Sequence, residues 1–141
     1  MAEHEVVGVI TKRVIEVFGL KLIPGTEILC GESNIAHMKE EHPEDFAKYG
    51  DKIADIISKP TYICKHPKKD SIEYVKVFIN ENKEHVLVAI RASGSGTIYA
   101  RTLFVMAKEK LINIMKKMLS YRINLNSLCC FLLFIGYNIV K

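Results

Sequence analysis

Four short segments rich in β-branched and aromatic residues follow one another in the second half of the chain. They span residues 61–64, 71–79, 84–92 and 97–106, and their composition is typical of β-strands. The connectors between them are short and rich in turn residues, as in residues 93–96. Because parallel strands need a crossover of a dozen or more residues, the pattern predicts an antiparallel meander of four strands.

The first half of the chain has helical spacing instead. Apolar residues between Lys12 and Phe18 predict a helix that ends at Gly19. Ser33 is a good N-cap for a helix over residues 34–41, and Pro43 fits the first turn of the next helix. Residues 6–10 and 26–30 have the composition of short strands, but they do not belong to the meander.

Apolar residues recur with helical spacing over residues 108–119, which predicts a C-terminal helix. The chain is therefore expected to be α+β, with N-terminal helices packed on a four-stranded antiparallel meander sheet, followed by a C-terminal helix and an apolar tail. Residues 128–140 of this tail are too few for an ordinary membrane span. A core strand or helix, a weak anchor and a segment foreign to the fold remain open interpretations.

The cysteines and the N-terminus bear on the compartment. Cys30, Cys64, Cys129 and Cys130 have no metal-ligand spacing, and the N-terminus lacks the basic and apolar regions of a secretion signal. We therefore expect reduced thiols in the cytoplasm, no metal, no cofactor and no membrane association.

Charge is distributed unevenly along the chain. Residues 1–60 carry 7 Lys+Arg against 11 Asp+Glu, whereas residues 61–141 carry 13 against 5. A basic second half is typical of a face that binds a polyanion. A solvated surface with a basic C-terminal helix explains the same numbers.

Three histidines are candidates for proton transfer, because histidine titrates near neutral pH. His37 lies in the first turns of a predicted helix, His42 lies at the joint between two helices, and His66 lies in a lysine-rich loop. A structural role is an open alternative for each of them. The Walker loop and the HExxH and GxSxG motifs are absent from the sequence.

Two arginines fall on neighbouring predicted strands. If the last hairpin has an odd-length loop, Arg91 lies beside Tyr99 and Arg101, and Thr102 points to the other side of its strand. Guanidinium groups match phosphate oxygens, so these strands predict an anion site. A basic solvent-facing surface is the alternative interpretation.

Several motifs in this chain resemble those of the phage-associated nuclease families of the barnase–EndoU–colicin–RelE-like (BECR) group. The resemblance covers roughly residues 5–108 and is most specific at His37-Met38 with His42-Pro43, and at Tyr99-Ala100-Arg101-Thr102. The matching segments as a whole are residues 31–43, 49–51, 62–63, 65–67, 74–76 and 93–104.

The resemblance implies a BECR-like nuclease domain over residues 1–110, with residues 111–141 as a C-terminal helix and apolar tail of open role. It implies N-terminal helices on a four-stranded antiparallel sheet whose other face is open to RNA. It also implies a metal-independent endoribonuclease, a toxin or phage effector, that makes a 2′,3′-cyclic phosphate. The RNA class stays open and includes tRNA, and an antitoxin or immunity protein is the implied partner.

The resemblance also suggests a role for each candidate residue. His37 fits the base or the acid, His42 or His66 the second proton-transfer group, and Arg91 with Arg101 the phosphate clamp. Tyr99 or Thr102 would position the phosphate, and Tyr99 could stack a base. The catalytic set is His37, His42, Arg91, Tyr99, Arg101 and Thr102, and the substrate-binding set is Lys65, His66 and Lys68.

Two other functions explain the same residues. A binding module would hold nucleic acid or an acidic protein on the basic face without cutting it. An interaction or inhibitor protein of a mobile element would use the apolar tail for docking or self-association.

Overall fold

A computed structural model describes residues 4–66, 69–79 and 83–107. The strands are β1 (His4–Val9), β2 (Glu27–Gly31), β3 (Tyr62–Lys65), β4 (Ser71–Ile79), β5 (Lys83–Ala92) and β6 (Ile98–Val105). The helices are α1 (Lys12–Phe18), α2 (Glu32–Glu41), α3 (Pro43–Tyr49) and α4 (Ile53–Ser58), with a 3₁₀ turn at Gly50–Lys52. In this part of the chain, each helix is too short or too polar to cross a bilayer.

The six strands form one mixed sheet in the order β1-β2-β6-β5-β4-β3. The predicted four-stranded antiparallel meander is therefore wrong, because β1 and β2 extend the sheet and β2 pairs with β6 in parallel. That parallel contact is short, with Ile28 opposite Ile98 and Leu29 opposite Tyr99. It joins residues far apart in sequence, so no local pattern indicates it. The predicted C-terminal helix and tail lie outside the described residues.

The two faces of the sheet bury different clusters. Along β5, Val86, Val88 and Ile90 belong to the main core, whereas Leu87 and Ala89 belong to a smaller cluster on the opposite face. The main core also receives side chains from the helices, among them Val14, Met38 and Ile56. The helices thus pack against one face, and the cleft described below opens on the other.

A β-bulge interrupts the pairing of β5 with β6. Ala89 is opposite Thr102, but the next residue, Ile90, is opposite Ala100, so Arg101 has no partner on β5. The alternation of side chains along β6 is consequently shifted by one residue at the bulge. Ala100 and Leu103, which are three residues apart, therefore both lie in the main core. The sequence predicts Arg101 and Thr102 on opposite sides of the strand, but both line the same cleft; the prediction is wrong because the alternation does not reveal an inserted residue.

Two carboxylates are bonded to lysines of neighbouring elements. Asp55 on α4 accepts a hydrogen bond of 2.6 Å from Lys76 on β4, and this bond is the main reason that its pKa is lowered. Glu84 on β5 accepts hydrogen bonds from Lys48 and from the Tyr49 hydroxyl, and these two bonds, Lys48 first, lower its pKa. Both pairs join the helical layer to the sheet.

These lowered pKa values predict acid sensitivity. A carboxyl group with a lower pKa in the folded state stabilises the fold above its ordinary pKa, and this stabilisation is lost as the pH falls. We expect the free energy of unfolding to decrease as the pH drops below the ordinary values of 4.5 for Glu84 and 3.8 for Asp55. Urea unfolding at pH 7 and pH 3.5 measures this, and Glu84→Gln should reduce the difference. An unchanged difference in that variant would assign the acid sensitivity to other groups.

Candidate active site

A cleft of about 590 Å³ opens on the sheet face that the helices leave uncovered, a size usual for small-molecule and nucleotide sites. Its floor is made by β4, β5 and β6, one wall by the start of α2, and the other by the loop between β3 and β4. Its lining residues are Ser33, Asn34, His37, His66, Lys69, Ser71, Glu73, Ala89, Arg91, Arg101, Thr102 and Phe104.

Two rows of residues cross the sheet at the floor of the cleft. One row runs from Ser71 to Arg91, and Arg91 is opposite Tyr99. The other runs from Glu73 through Ala89 to Thr102. Because Ala89 has only a methyl side chain, the centre of the floor leaves room between the longer side chains of the two rows.

The bulge places Arg101 at the edge of this floor. Its Nη2 donates a hydrogen bond of 3.3 Å to the carbonyl of Ala92, and its guanidinium carbon lies 5.9 Å from the ring centroid of Tyr99. Its Nε is buried and has no hydrogen-bond partner in the described part of the chain. Because a buried atom is out of reach of a ligand in the cleft, an anion bound there would be held by the rest of the guanidinium and by its charge.

Tyr99 does not line the cleft. Its ring lies between Arg101 and His4, with the His4 ring centroid at 5.5 Å and an interplanar angle of 56°. Tyr99 therefore contacts the Arg101 side chain from outside the cleft lining.

The wall made by α2 depends on the chain turning directly from strand to helix at Gly31. The Gly31 N–H donates to the Asn34 side chain at 2.8 Å, and a Cβ on Gly31 would collide with the His4 ring. Helix α2 lies beside β6, beyond the point where the pairing of β2 with β6 ends. Met38 anchors it in the main core, and the exposed His37 lines the cleft.

The loop between β3 and β4 supplies the opposite wall. The His66 N–H donates to the Ser71 carbonyl at 2.9 Å, and the Lys69 N–H donates to His66 Nδ1 at 3.0 Å. Since Nδ1 accepts, a neutral His66 ring carries its proton on Nε2. Lys65 is exposed on β3 outside the cleft lining, and Lys68 lies outside the described residues.

His42 does not line the cleft either. It lies between α2 and α3, and its ring packs on Phe104 with 5.1 Å between the centroids. Five predicted site residues therefore share the cleft, namely His37, His66, Arg91, Arg101 and Thr102, whereas His42, Tyr99 and Lys65 lie beside it.

Sequence reasoning missed several lining residues, and Glu73 is the most informative. Its neighbours Ile72 and Tyr74 are buried in the main core, so alternation alone points Glu73 to the opposite face. A carboxylate in the middle of an apolar strand was therefore a readable signal. Ser33, Asn34, Lys69 and Phe104 gave no comparable signal.

The cleft is cationic. Its described lining holds Lys69, Arg91 and Arg101 against a single carboxylate, Glu73, in addition to two imidazoles. Such a lining attracts a polyanion. Among the described residues, no three histidine, cysteine, aspartate or glutamate side chains are grouped as a metal site would require.

Phosphate-binding cations beside groups that can move protons, on the open face of an α+β sheet, are typical of a nuclease. Residues 4–113 match the family model described as phage-Barnase-EndoU-ColicinE5/D-RelE like nuclease3, and the chain belongs to that family. The resemblance stated from the sequence is thereby confirmed, and the family implies a nucleic-acid substrate. Neither the curated proteins nor the solved structures contain a significant match.

Proposed function

We propose that the chain is a metal-independent endoribonuclease in which the ribose 2′-OH attacks the adjacent phosphodiester. The observation that carries this proposal is the meeting of Arg91, Arg101, Glu73 and two histidines in one cleft. Attack by the 2′-OH requires a base, a leaving-group acid and positive charge around the phosphorane. The cleft contains a residue type for each task.

Arg91 and Arg101 bind the non-bridging phosphate oxygens in this mechanism. The Arg101 guanidinium lines the cleft with its positive charge, and Tyr99 and the Ala92 carbonyl hold it in place. Negative charge grows on the phosphate oxygens in the transition state, so donors already in position stabilise it without reorganisation. The Thr102 hydroxyl provides a further donor from the same floor.

Glu73 takes the proton of the 2′-OH, and His37 gives a proton to the departing 5′-oxygen. A carboxylate is ionised at neutral pH, as a base must be, and an imidazolium is a good acid there. Glu73 lies on a central strand and His37 on the α2 wall, so they approach the phosphate from different sides. The sequence resemblance leaves His37 as either the base or the acid. Because Glu73 can serve as the base, His37 takes the role of the acid in this mechanism.

A nuclease of this kind acts as a toxin or mobile-element effector, and an antitoxin or immunity protein would hold it inactive by covering the cleft. Transfer RNA is one substrate class that enters the same cleft through a single-stranded loop. Lys65, at the end of β3, and Lys69, in the β3–β4 loop, would hold phosphates outside the scissile one.

Incubation of the purified chain with total RNA in EDTA tests the proposal. We expect discrete fragments with 2′,3′-cyclic phosphate and 5′-OH ends, because transesterification needs no metal. Activity that appears only with added Mg²⁺, or fragments with 5′-phosphate ends, would contradict this mechanism. Intact RNA that is nevertheless retained in a salt-dependent manner would favour a binding module.

A further inference from the structure

Phe104 and His42 form a pair of packed rings at the end of the cleft. Phe104 lines the cleft, and His42 packs against it with 5.1 Å between centroids and an interplanar angle of 32°. We propose that this aromatic pair is a nucleobase subsite, so that the substrate is single-stranded with one base laid on Phe104. The inference deepens the proposed function and rests on it for the identity of the substrate.

The subsite is one nucleotide away from the cations. Phe104 follows Thr102 by two residues on β6, and both lie on the cleft side of the strand. Two residues of a strand span about 7 Å, a distance that one nucleotide covers between its phosphate and its base. A phosphate held at Arg101 and Thr102 therefore brings its own base or that of a neighbour to Phe104.

The rings are held in place by the backbone around them. The His42 N–H donates to the Met38 carbonyl at 2.9 Å, and the His42 carbonyl accepts the Phe46 N–H at 2.9 Å. Next to Phe104, the Val105 N–H donates to Asp45 Oδ2 on α3 at 3.0 Å. This last bond ties the end of β6 to the helical layer, so the position of Phe104 is set before any substrate binds.

Phe104 is only partly buried, and it is exposed where it lines the cleft. It borders the smaller apolar cluster, in which Val75 and Leu87 are each 1% exposed, but Phe104 itself remains partly exposed in the cleft. Aromatic faces beside a cationic groove are the usual platform for unpaired bases. In a duplex the base faces are stacked on each other, so a duplex cannot use this platform.

A fluorescent oligonucleotide tests the subsite without relying on cleavage. The probe is a single-stranded oligoribonucleotide whose 2′-hydroxyls are replaced by fluorine, with 2-aminopurine placed at each position in turn. Stacking on Phe104 should quench the 2-aminopurine at one position of the bound strand. Phe104→Leu should remove this quenching and weaken binding on the order of 10- to 100-fold, since base–aromatic stacking contributes that much.

Three controls separate stacking from packing. Phe104→Tyr keeps the aromatic face and should bind as the wild type does. Phe78→Leu changes another half-buried phenylalanine, whose ring centroid lies 4.9 Å from that of Tyr49. Phe78 is outside the cleft lining, so this substitution should leave binding unchanged. The same probe annealed to its complement should bind more weakly than the single strand.

Unchanged quenching in Phe104→Leu, equal affinity for the duplex, or no binding by the wild type would each overturn the subsite. The nuclease proposal fails separately. If natural RNA stays intact in EDTA while the probe is quenched at Phe104, the base subsite stands and the assigned chemistry is rejected.

Discussion

Replacement of Arg101 by alanine is expected to reduce RNA cleavage by about 10²- to 10³-fold, the usual effect of removing one preorganised donor to a transition-state oxyanion. The reason is geometric. Arg101 occupies a bulge, its side chain lines the cleft, and its guanidinium is held by the Ala92 carbonyl and supported by Tyr99. The loss should appear mainly in kcat, measured on a short labelled oligoribonucleotide, because the charge it stabilises develops after binding.

Arg13→Ala is the matched control, because Arg13 is an exposed arginine on α1, outside the cleft. It should cleave at the wild-type rate. Arg101→Lys retains the charge but loses the planar fork, so its activity should lie between those of the wild type and Arg101→Ala. Full activity in Arg101→Ala, with an unchanged melting temperature, would remove Arg101 from the proposed clamp.

Substitution of the two proton-transfer residues should reshape the pH dependence of cleavage as well as the rate. General acid–base groups contribute about 10²- to 10⁴-fold, so Glu73→Gln and His37→Gln should each lose activity within that range. A base must be deprotonated and an acid protonated, which gives a bell-shaped profile of kcat/KM. Glu73→Gln should flatten the acidic limb, and His37→Gln should flatten the alkaline limb.

Glu16→Gln is a suitable control, because this exposed carboxylate lies on α1, outside the cleft lining, where it pairs with Lys12 at 3.8 Å. Its profile should match that of the wild type. If His37→Gln flattens the acidic limb instead, His37 is the base and the two roles are exchanged. If neither substitution alters the profile, the proton-transfer groups are not the residues that this cleft suggests.

A large part of the secondary structure was readable from local sequence. Alternating apolar residues located β3 to β6, and the turn residues placed their connections, because strand periodicity is a property of neighbouring residues. The proline signal placed the start of α3 at Pro43, whereas the capping signal was wrong, because Ser33 lies inside α2 and the N-cap is Gly31. Arg91 was expected beside Tyr99, and the two residues are register partners.

The sheet topology was not readable in this way. The parallel contact of β2 with β6 is made by two pairs of residues about seventy positions apart, and its stability comes from burying Ile28 and Ile98 in the common core. The small second cluster on the opposite face was equally invisible, because either face of a strand can be the buried one until its neighbours are known.

The sequence by itself determined the residue types of the site and the family to which the chain belongs. Only the tertiary structure decided which of these residues meet. The bulge at Arg101 turned Thr102 and Phe104 toward the cleft, and the packing of Met38 brought His37 to its wall. Local patterns follow from interactions between near neighbours, whereas an active site depends on long-range packing that only the folded chain provides.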